Sequence, residues 1–136
     1  MDENGQLYED NYELVGIFGQ NTKQCFALAL LMYDRVQMND CYINELMSLR
    51  PGFGMKLLNK IIDHTENTWL MADIDAGEDL CNKFYRKNPR LTEIKINGGH
   101  VYDDAKHPNR KVLHLFYADN CEDPKKLSST ITNAFM

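Results

Sequence analysis

The chain has 136 residues, of which 43% are hydrophobic and 26% charged, with a formal net charge of -5 at pH 7. This length fits one domain over residues 1–136, and the negative charge disfavours general binding to nucleic-acid phosphates. No apolar run approaches the ~20 residues of a membrane span, and the acidic start is unlike a signal peptide, so we expect a cytoplasmic protein without a membrane anchor.

Two strands are predicted near the start of the chain. YELVGIF (12–18) is rich in β-forming residues, and turn-forming residues follow at 19–22. CFALALLMYDRV (25–36) is a continuous apolar run, which we interpret as the second strand of a hairpin. Periodicity alone would also allow this run to be a buried helix.

A third strand is predicted over CYINELMSL (41–49). Strict alternation of side chains places Glu45 on the same face as Ile43 and Met47. In such apolar surroundings desolvation would favour the protonated form of the Glu45 carboxyl group.

Glycines interrupt the chain before the first predicted helix. RPGFG (50–54) breaks regular structure, and apolar residues then recur at helical spacing over 55–62. The first N–H groups of a helix have no partner within it, and the helix dipole makes that end positive. Gly52 and Gly54 free the backbone and remove side chains that would keep a phosphate away, so the sequence predicts an anion site here.

Two general phosphate-binding patterns fit this segment poorly. A P-loop requires Gly-Lys followed by Ser or Thr, whereas Gly54 is followed by MKL (55–57), so nucleotide hydrolysis is disfavoured. A dinucleotide fingerprint would need glycine in place of Leu57 and an acidic residue near the end of the next strand. Asp73 or Asp75 lies at that distance, so a small nucleotide-binding domain stays open as a third interpretation.

The rest of the chain adds strands and helices in alternation. The predicted elements are a buried strand at 68–74, a short helix over 80–88, strands at 91–96 and 111–118 that could pair, and a terminal helix over 125–135 after an Asp123-Pro124 cap. Together they predict a single α/β domain.

Three segments resemble the GNAT superfamily of acyl-coenzyme A-dependent N-acyltransferases over roughly residues 12–96. GFGMKLL (52–58) is similar to the family's pyrophosphate loop and following helix, and FYRK (84–87) is similar to its aromatic helix. YELVGIF (12–18) looks like the family's hairpin strand. The chain departs from the pattern because Leu49 stands where the family has glutamine or arginine, with Arg50 one position later.

The resemblance implies a mixed, largely antiparallel sheet flanked by helices, with a truncated N-terminal region. The family has a strand and two helices where only residues 1–11 precede Tyr12 here. Those helices help to form the acceptor site, so later segments or a second subunit in a homodimer would have to complete it.

The resemblance also implies acetyl-CoA as cofactor and transfer of its acetyl group to a primary amine on an acceptor that the sequence does not define. It assigns a cofactor-binding set of backbone and side-chain groups: Met47 and Leu49 for the pantetheine arm, and Arg50, Gly52, Phe53, Gly54 and Met55 for the pyrophosphate. Tyr85 becomes the general acid and Glu45 the base, with Asp73 and Asp75 as second choices for the base.

Simpler interpretations stand beside these roles. Tyr85 could be a core residue, Glu45 a solvated strand residue, and the whole chain a catalytically inactive GNAT-like binding or interaction protein. We expect no metal site, because the cluster of His100, Asp103, Asp104 and His107 has no structural zinc spacing. The cysteines, Cys25, Cys41, Cys81 and Cys121, contain no C-x-x-C pair and are expected to be reduced.

Overall fold

A computed structural model describes residues 11–21, 23–35, 38–73, 81–94 and 113–135. The elements in chain order are β1 (Tyr12–Phe18), β2 (Cys25–Tyr33), β3 (Cys41–Ser48), α1 (Phe53–His64), β4 (Thr68–Asp73), a π-helical turn (Cys81–Tyr85), β5 (Leu91–Ile94), β6 (Leu113–Ala118) and α2 (Pro124–Phe135).

The described strands form one six-stranded sheet in the order β1-β2-β3-β4-β6-β5. β3 and β4 run parallel and are joined by α1, while the other neighbouring pairs are antiparallel. The predicted α/β fold with a mixed, largely antiparallel sheet is therefore confirmed. The apolar run at 25–36 contains a strand rather than a helix, and its place between β1 and β3 explains why it does not alternate with polar residues.

The core lies on both faces of the sheet. On one face, α1 packs on the small side chains of Ala27 and Ala29, which are fully buried in β2 and let the helix approach closely. On the other face, Leu127 and Ile131 of α2 pack in one cluster with Trp69. Both helices are amphipathic, so each buries one apolar stripe against the sheet.

Of the two helices predicted after β4, the first is a short π-helical turn and the second forms as an α-helix. The segment predicted as a short helix over 80–88 forms the π-helical turn Cys81–Tyr85 and ends before Pro89. α2 begins as predicted, because a carboxylate oxygen of Asp123 accepts a hydrogen bond from the amide of Lys126 at 3.0 Å.

One asparagine connects the end of α1 to β4. The Asn120 side-chain nitrogen lies 3.0 Å from the carbonyl oxygens of both Ile62 and Thr65 and 2.7 Å from Oγ1 of Thr68. Its side-chain oxygen accepts a hydrogen bond from the amide of Thr68 at 3.0 Å. Asn120 thus satisfies carbonyls at the end of α1 that have no partner within the helix.

We expect Asn120→Asp to lower the free energy of unfolding by about 2–3 kcal/mol, because the carboxylate loses the N–H donors and faces two carbonyl oxygens. Urea denaturation measures the change. Asn133→Asp, at an exposed position of α2, is the matched control and should shift stability by less than about 0.5 kcal/mol. Equal effects of the two substitutions would contradict the role given to Asn120.

Candidate functional site

β3 carries a bulge in the middle of the sheet. Leu30 of β2 pairs with Glu45, but the next residue, Leu31, pairs with Ile43, so Asn44 is an extra residue on β3. A bulge bends its strand and changes the direction of the residues that follow it. The sequence pattern did not predict this bulge.

β3 and β4 separate directly after the bulge. Their parallel pairing covers Cys41 with Thr68, Tyr42 with Trp69 and Ile43 with Leu70. Both strands continue beyond this point, β3 to Ser48 and β4 to Asp73, but they do so without pairing to each other. A gap therefore opens between two adjacent strands of the sheet, and the backbone that borders it is available for another partner.

The bulge also reverses the direction of the backbone groups along β3. Before it, the amide of Cys41 donates to the carbonyl of Asn67, on the β4 side. After it, the amide of Leu49 donates to the carbonyl of Phe26, on the β2 side. In a regular strand these two odd-numbered residues would point the same way, so the extra residue Asn44 accounts for the reversal.

This reversal corrects one sequence-based assignment. Met47 and Leu49 were expected to offer their backbone groups to the pantetheine arm. The Leu49 amide is instead bonded toward β2, and strand alternation places the backbone of Met47 on the same side. The residues whose backbone groups face the gap are Leu46 and Ser48.

The expected surroundings of Glu45 are also wrong, for the same reason. Ile43 is buried against α1, and Leu46 packs in the same cluster although it lies three residues further on. With one extra residue between them, Glu45 does not share the face of Ile43. Its side chain is exposed to solvent, so the desolvation expected from strict alternation is absent.

α1 begins beside the open end of the gap. Gly52, the N-cap residue of the helix, has φ 84°, in the left-handed region, and has no side chain that could cap the first turn. A Cβ atom at this position would meet nothing within 4 Å, so the space above Gly52 is open. The first turn contains no acidic residue, and Arg50 and Lys56 are exposed beside it. These features leave the start of α1 positive.

The amides of this loop are only in part free to hold an anion. The Phe53 amide donates to the carbonyl of Arg50 at 3.2 Å, and the Gly54 amide donates to Oγ of Ser48 at 3.1 Å. Within the described part of the chain, the amides of Gly52 and Met55 make no hydrogen bond. Of the residues assigned to the pyrophosphate, Phe53 and Gly54 therefore have amides that the protein itself already satisfies.

Arg50 is held by residues at the start of β2. Its guanidinium group lies 4.1 Å from the centroid of the Phe26 ring and donates to Oε1 of Gln24 at 2.9 Å. Phe26 is an extra residue on β2, because Ile17 of β1 pairs with Ala27 and the next residue, Phe18, pairs with Cys25. The centroid of the Phe26 ring lies 4.9 Å from that of Phe53. Stacking and hydrogen bonding thus fix the arginine beside the loop.

Gly54 has a packing role that the sequence analysis did not assign. A Cβ atom there would lie 2.8 Å from Cβ of Ser48 and 3.5 Å from the ring of Phe84. Glycine is needed at this position because α1 crosses the end of β3 at a distance that leaves no room for a methyl group.

The aromatic segment that contains Phe84 and Tyr85 lies beside the start of α1. Tyr85 is 9% exposed and lies between Phe84, at 5.0 Å, and Phe116, at 5.5 Å. Asn88, which is 2% exposed, donates to Sδ of Met55 at 3.2 Å and thereby ties the segment to α1. The structure therefore brings Tyr85, Met55 and the glycine loop into one region.

Several residues that shape this region were not predicted from the sequence. Phe26 and Asn88 contact Phe53 and Met55 across about 30 residues of sequence, and Ser48 contacts Gly54 across the turn between β3 and α1. Ser48 and Asn88 are polar residues next to turn-forming residues, which is an ordinary pattern for a surface loop. No local signal distinguishes them from such residues.

The remaining candidates either end β4 or lie outside the described residues. Asp75 and the cluster at 100–107 fall outside the described residues, and Asp73 ends β4. Within the described ranges no three His, Cys, Asp or Glu side chains come together as a metal site. Burial raises the pKa of the Cys41 thiol to about 12 and that of Cys121 to about 11, so neither is a thiolate nucleophile at neutral pH.

Neither a protein-family model nor a curated protein matches this sequence. Among solved structures, the fold is similar to that of the ribosomal-protein-S18-alanine N-acetyltransferase from Escherichia coli. The TM-score is 0.52 with 14% sequence identity, covering 85% of this chain and 74% of the other. At this identity the similarity shows the fold. In the described part of the chain, no helix is both long and apolar enough to cross a lipid bilayer.

We expect Gly54→Ala to lower the free energy of unfolding by about 2 kcal/mol, because the new methyl group overlaps Ser48. The methyl group of Gly52→Ala would lie in open space. This substitution should lower the free energy of unfolding by only about 1 kcal/mol, the cost of placing alanine in the left-handed region. Denaturation of single and double variants separates the causes. Ser48→Gly should relieve part of the cost of Gly54→Ala and none of the cost of Gly52→Ala. Identical costs in both backgrounds would show that Ser48 does not restrict position 54.

Proposed function

We propose that the protein transfers an acetyl group from acetyl-CoA to a primary amine. The observation that carries the proposal is the gap between β3 and β4, which opens beside the positive start of α1. Such a gap offers unpaired strand backbone to an extended ligand and, at one end, a helix N-terminus to its phosphates. Coenzyme A combines these two features, since it has an amide-containing arm and a pyrophosphate.

Individual residues would divide the binding of the coenzyme between them. The backbone of Leu46 and Ser48 would pair with the pantetheine arm along the gap. The pyrophosphate would accept hydrogen bonds from the amides of Gly52 and Met55, near the cations of Arg50 and Lys56. It would take the amide of Gly54 as well if it displaced the Ser48 hydroxyl, which occupies that donor at 3.1 Å.

The reaction requires few catalytic side chains. A neutral amine forms a bond to the thioester carbonyl carbon, the carbon–sulfur bond breaks, the nitrogen loses a proton and the leaving sulfur gains one. Tyr85 is the best candidate for the group that protonates the sulfur, because it lies in the segment that contacts α1. Glu45 is exposed and, if it is the base, would act on an amine that arrives from solvent.

A catalytically inactive binding protein is the second candidate. It is favoured by the loop, in which Arg50 and Ser48 already satisfy the amides of Phe53 and Gly54. Calorimetric titration with acetyl-CoA, followed by a free-thiol assay over a panel of primary amines, separates the two. Binding with amine-dependent thiol release supports the enzyme, and binding without release on any amine supports the inactive protein. Absence of binding at millimolar coenzyme would exclude the enzyme and leave an inactive interaction protein that does not use coenzyme A.

Tyr85→Phe should lower turnover at least ten-fold and leave the affinity for coenzyme A nearly unchanged, because the hydroxyl is needed only when the thiolate leaves. Tyr117→Phe, at a partly buried position against the core on the opposite face of the sheet, controls for loss of a tyrosine hydroxyl elsewhere. The free-thiol assay gives turnover and calorimetry gives affinity. Equal turnover of the Tyr85→Phe variant and the unchanged protein would remove Tyr85 from the mechanism.

A further inference from the structure

We infer that a second cavity, between β1 and the C-terminal half of α1, binds a small amphipathic carboxylate. The cavity measures about 380 Å³, within the range of small-molecule sites in proteins. It exists because α1 packs mainly over β2 and β3, so that Val15 and Ile17 of the outer strand β1 stay only partly buried beside it.

The interior of the cavity is apolar. Val15 and Ile17 line it from β1, Leu31 from β2, and Leu57 and Ile61 from α1. Leu31, Leu57 and Ile61 are each less than 5% exposed, so this part of the wall is fixed by the core. A hydrocarbon chain placed here would leave water at a gain of roughly 25 cal/mol per Å² of apolar surface.

The rim of the cavity is polar and has different character on its two sides. On the strand side, the Tyr33 hydroxyl donates to a carboxylate oxygen of Glu13 at 3.1 Å. Burial, together with nearby Cys41 and Glu13, raises the pKa of Tyr33 to about 12, so the phenol remains a donor at neutral pH. Glu13 thus has a partner already.

On the helix side, Lys60 and His64 lie one turn apart and both line the cavity. Both are exposed, and neither forms a hydrogen bond or ion pair with another described residue. A lysine supplies three donors and a fixed positive charge, and an imidazole supplies at least one N–H donor. Two adjacent donors above an apolar interior fit a carboxylate with a hydrocarbon chain better than an amine of the same shape.

This site does not rest on the proposed acetyltransferase function. His64 is ten residues from Gly54 along α1, which corresponds to about 15 Å of helix. Binding at one end of α1 can therefore be measured whether or not coenzyme A binds at the other.

Octanoate and octylamine are matched probes, since they share one chain length and carry opposite charges. Titration of the ¹⁵N-labelled full chain, followed by NMR, should show saturable octanoate binding, with the largest shifts at Val15, Ile17 and Ile61. Octylamine should bind at least five-fold more weakly. Lys60→Gln should weaken octanoate binding at least five-fold, and Lys125→Gln, on exposed α2 surface, should leave it unchanged.

Three results would each overturn the inference: no saturable shift at about ten millimolar octanoate, equal or tighter binding of octylamine, or equal affinity in the Lys60→Gln and Lys125→Gln variants. Because both lysines are exposed, their replacement should leave the fold intact. The amide spectrum of each variant checks this directly.

Discussion

One extra residue in β3 determines the geometry of the whole candidate site. The bulge at Asn44 turns the backbone of the following residues, and β3 separates from β4 immediately after it. In an unbroken sheet the end of β3 would pair with β4, and no backbone group would remain for a ligand. The bulge therefore converts the centre of a sheet, normally the best satisfied part of a fold, into a place with unused hydrogen-bonding capacity.

The start of α1 shows how a fold and a ligand compete for the same groups. The protein satisfies two loop amides through Ser48 and Arg50, and the close contact at Gly54 holds the loop in that arrangement. The amides of Gly52 and Met55 have no partner among the described residues, and the space above Gly52 is open. An anion would thus find two free amide donors in this loop. Its affinity depends on whether it can displace the Ser48 hydroxyl from the amide of Gly54.

Local chemistry predicted the elements well and the site less well. The strands, α1 and the Asp123 cap follow from β-forming runs, helical spacing and capping residues, all of which act over a few neighbouring positions. The bulge does not, because nothing in the sequence around Asn44 marks it, and strict alternation then gave the wrong face for Glu45 and the wrong backbone direction for Met47 and Leu49. Ser48 and Asn88 were missed because their partners become neighbours only once α1 has packed on the sheet.

The central claim is that the backbone of Leu46 and Ser48 faces an open gap that coenzyme A can fill. Amide hydrogen exchange, resolved by residue, tests it directly. We expect these two amides to exchange fast in the free protein, unlike Cys41 in the paired part of β3, and to become protected when coenzyme A is added. Slow exchange in the free protein would mean that the gap is closed. Fast exchange that saturating coenzyme leaves unchanged would mean that the gap is not its binding site.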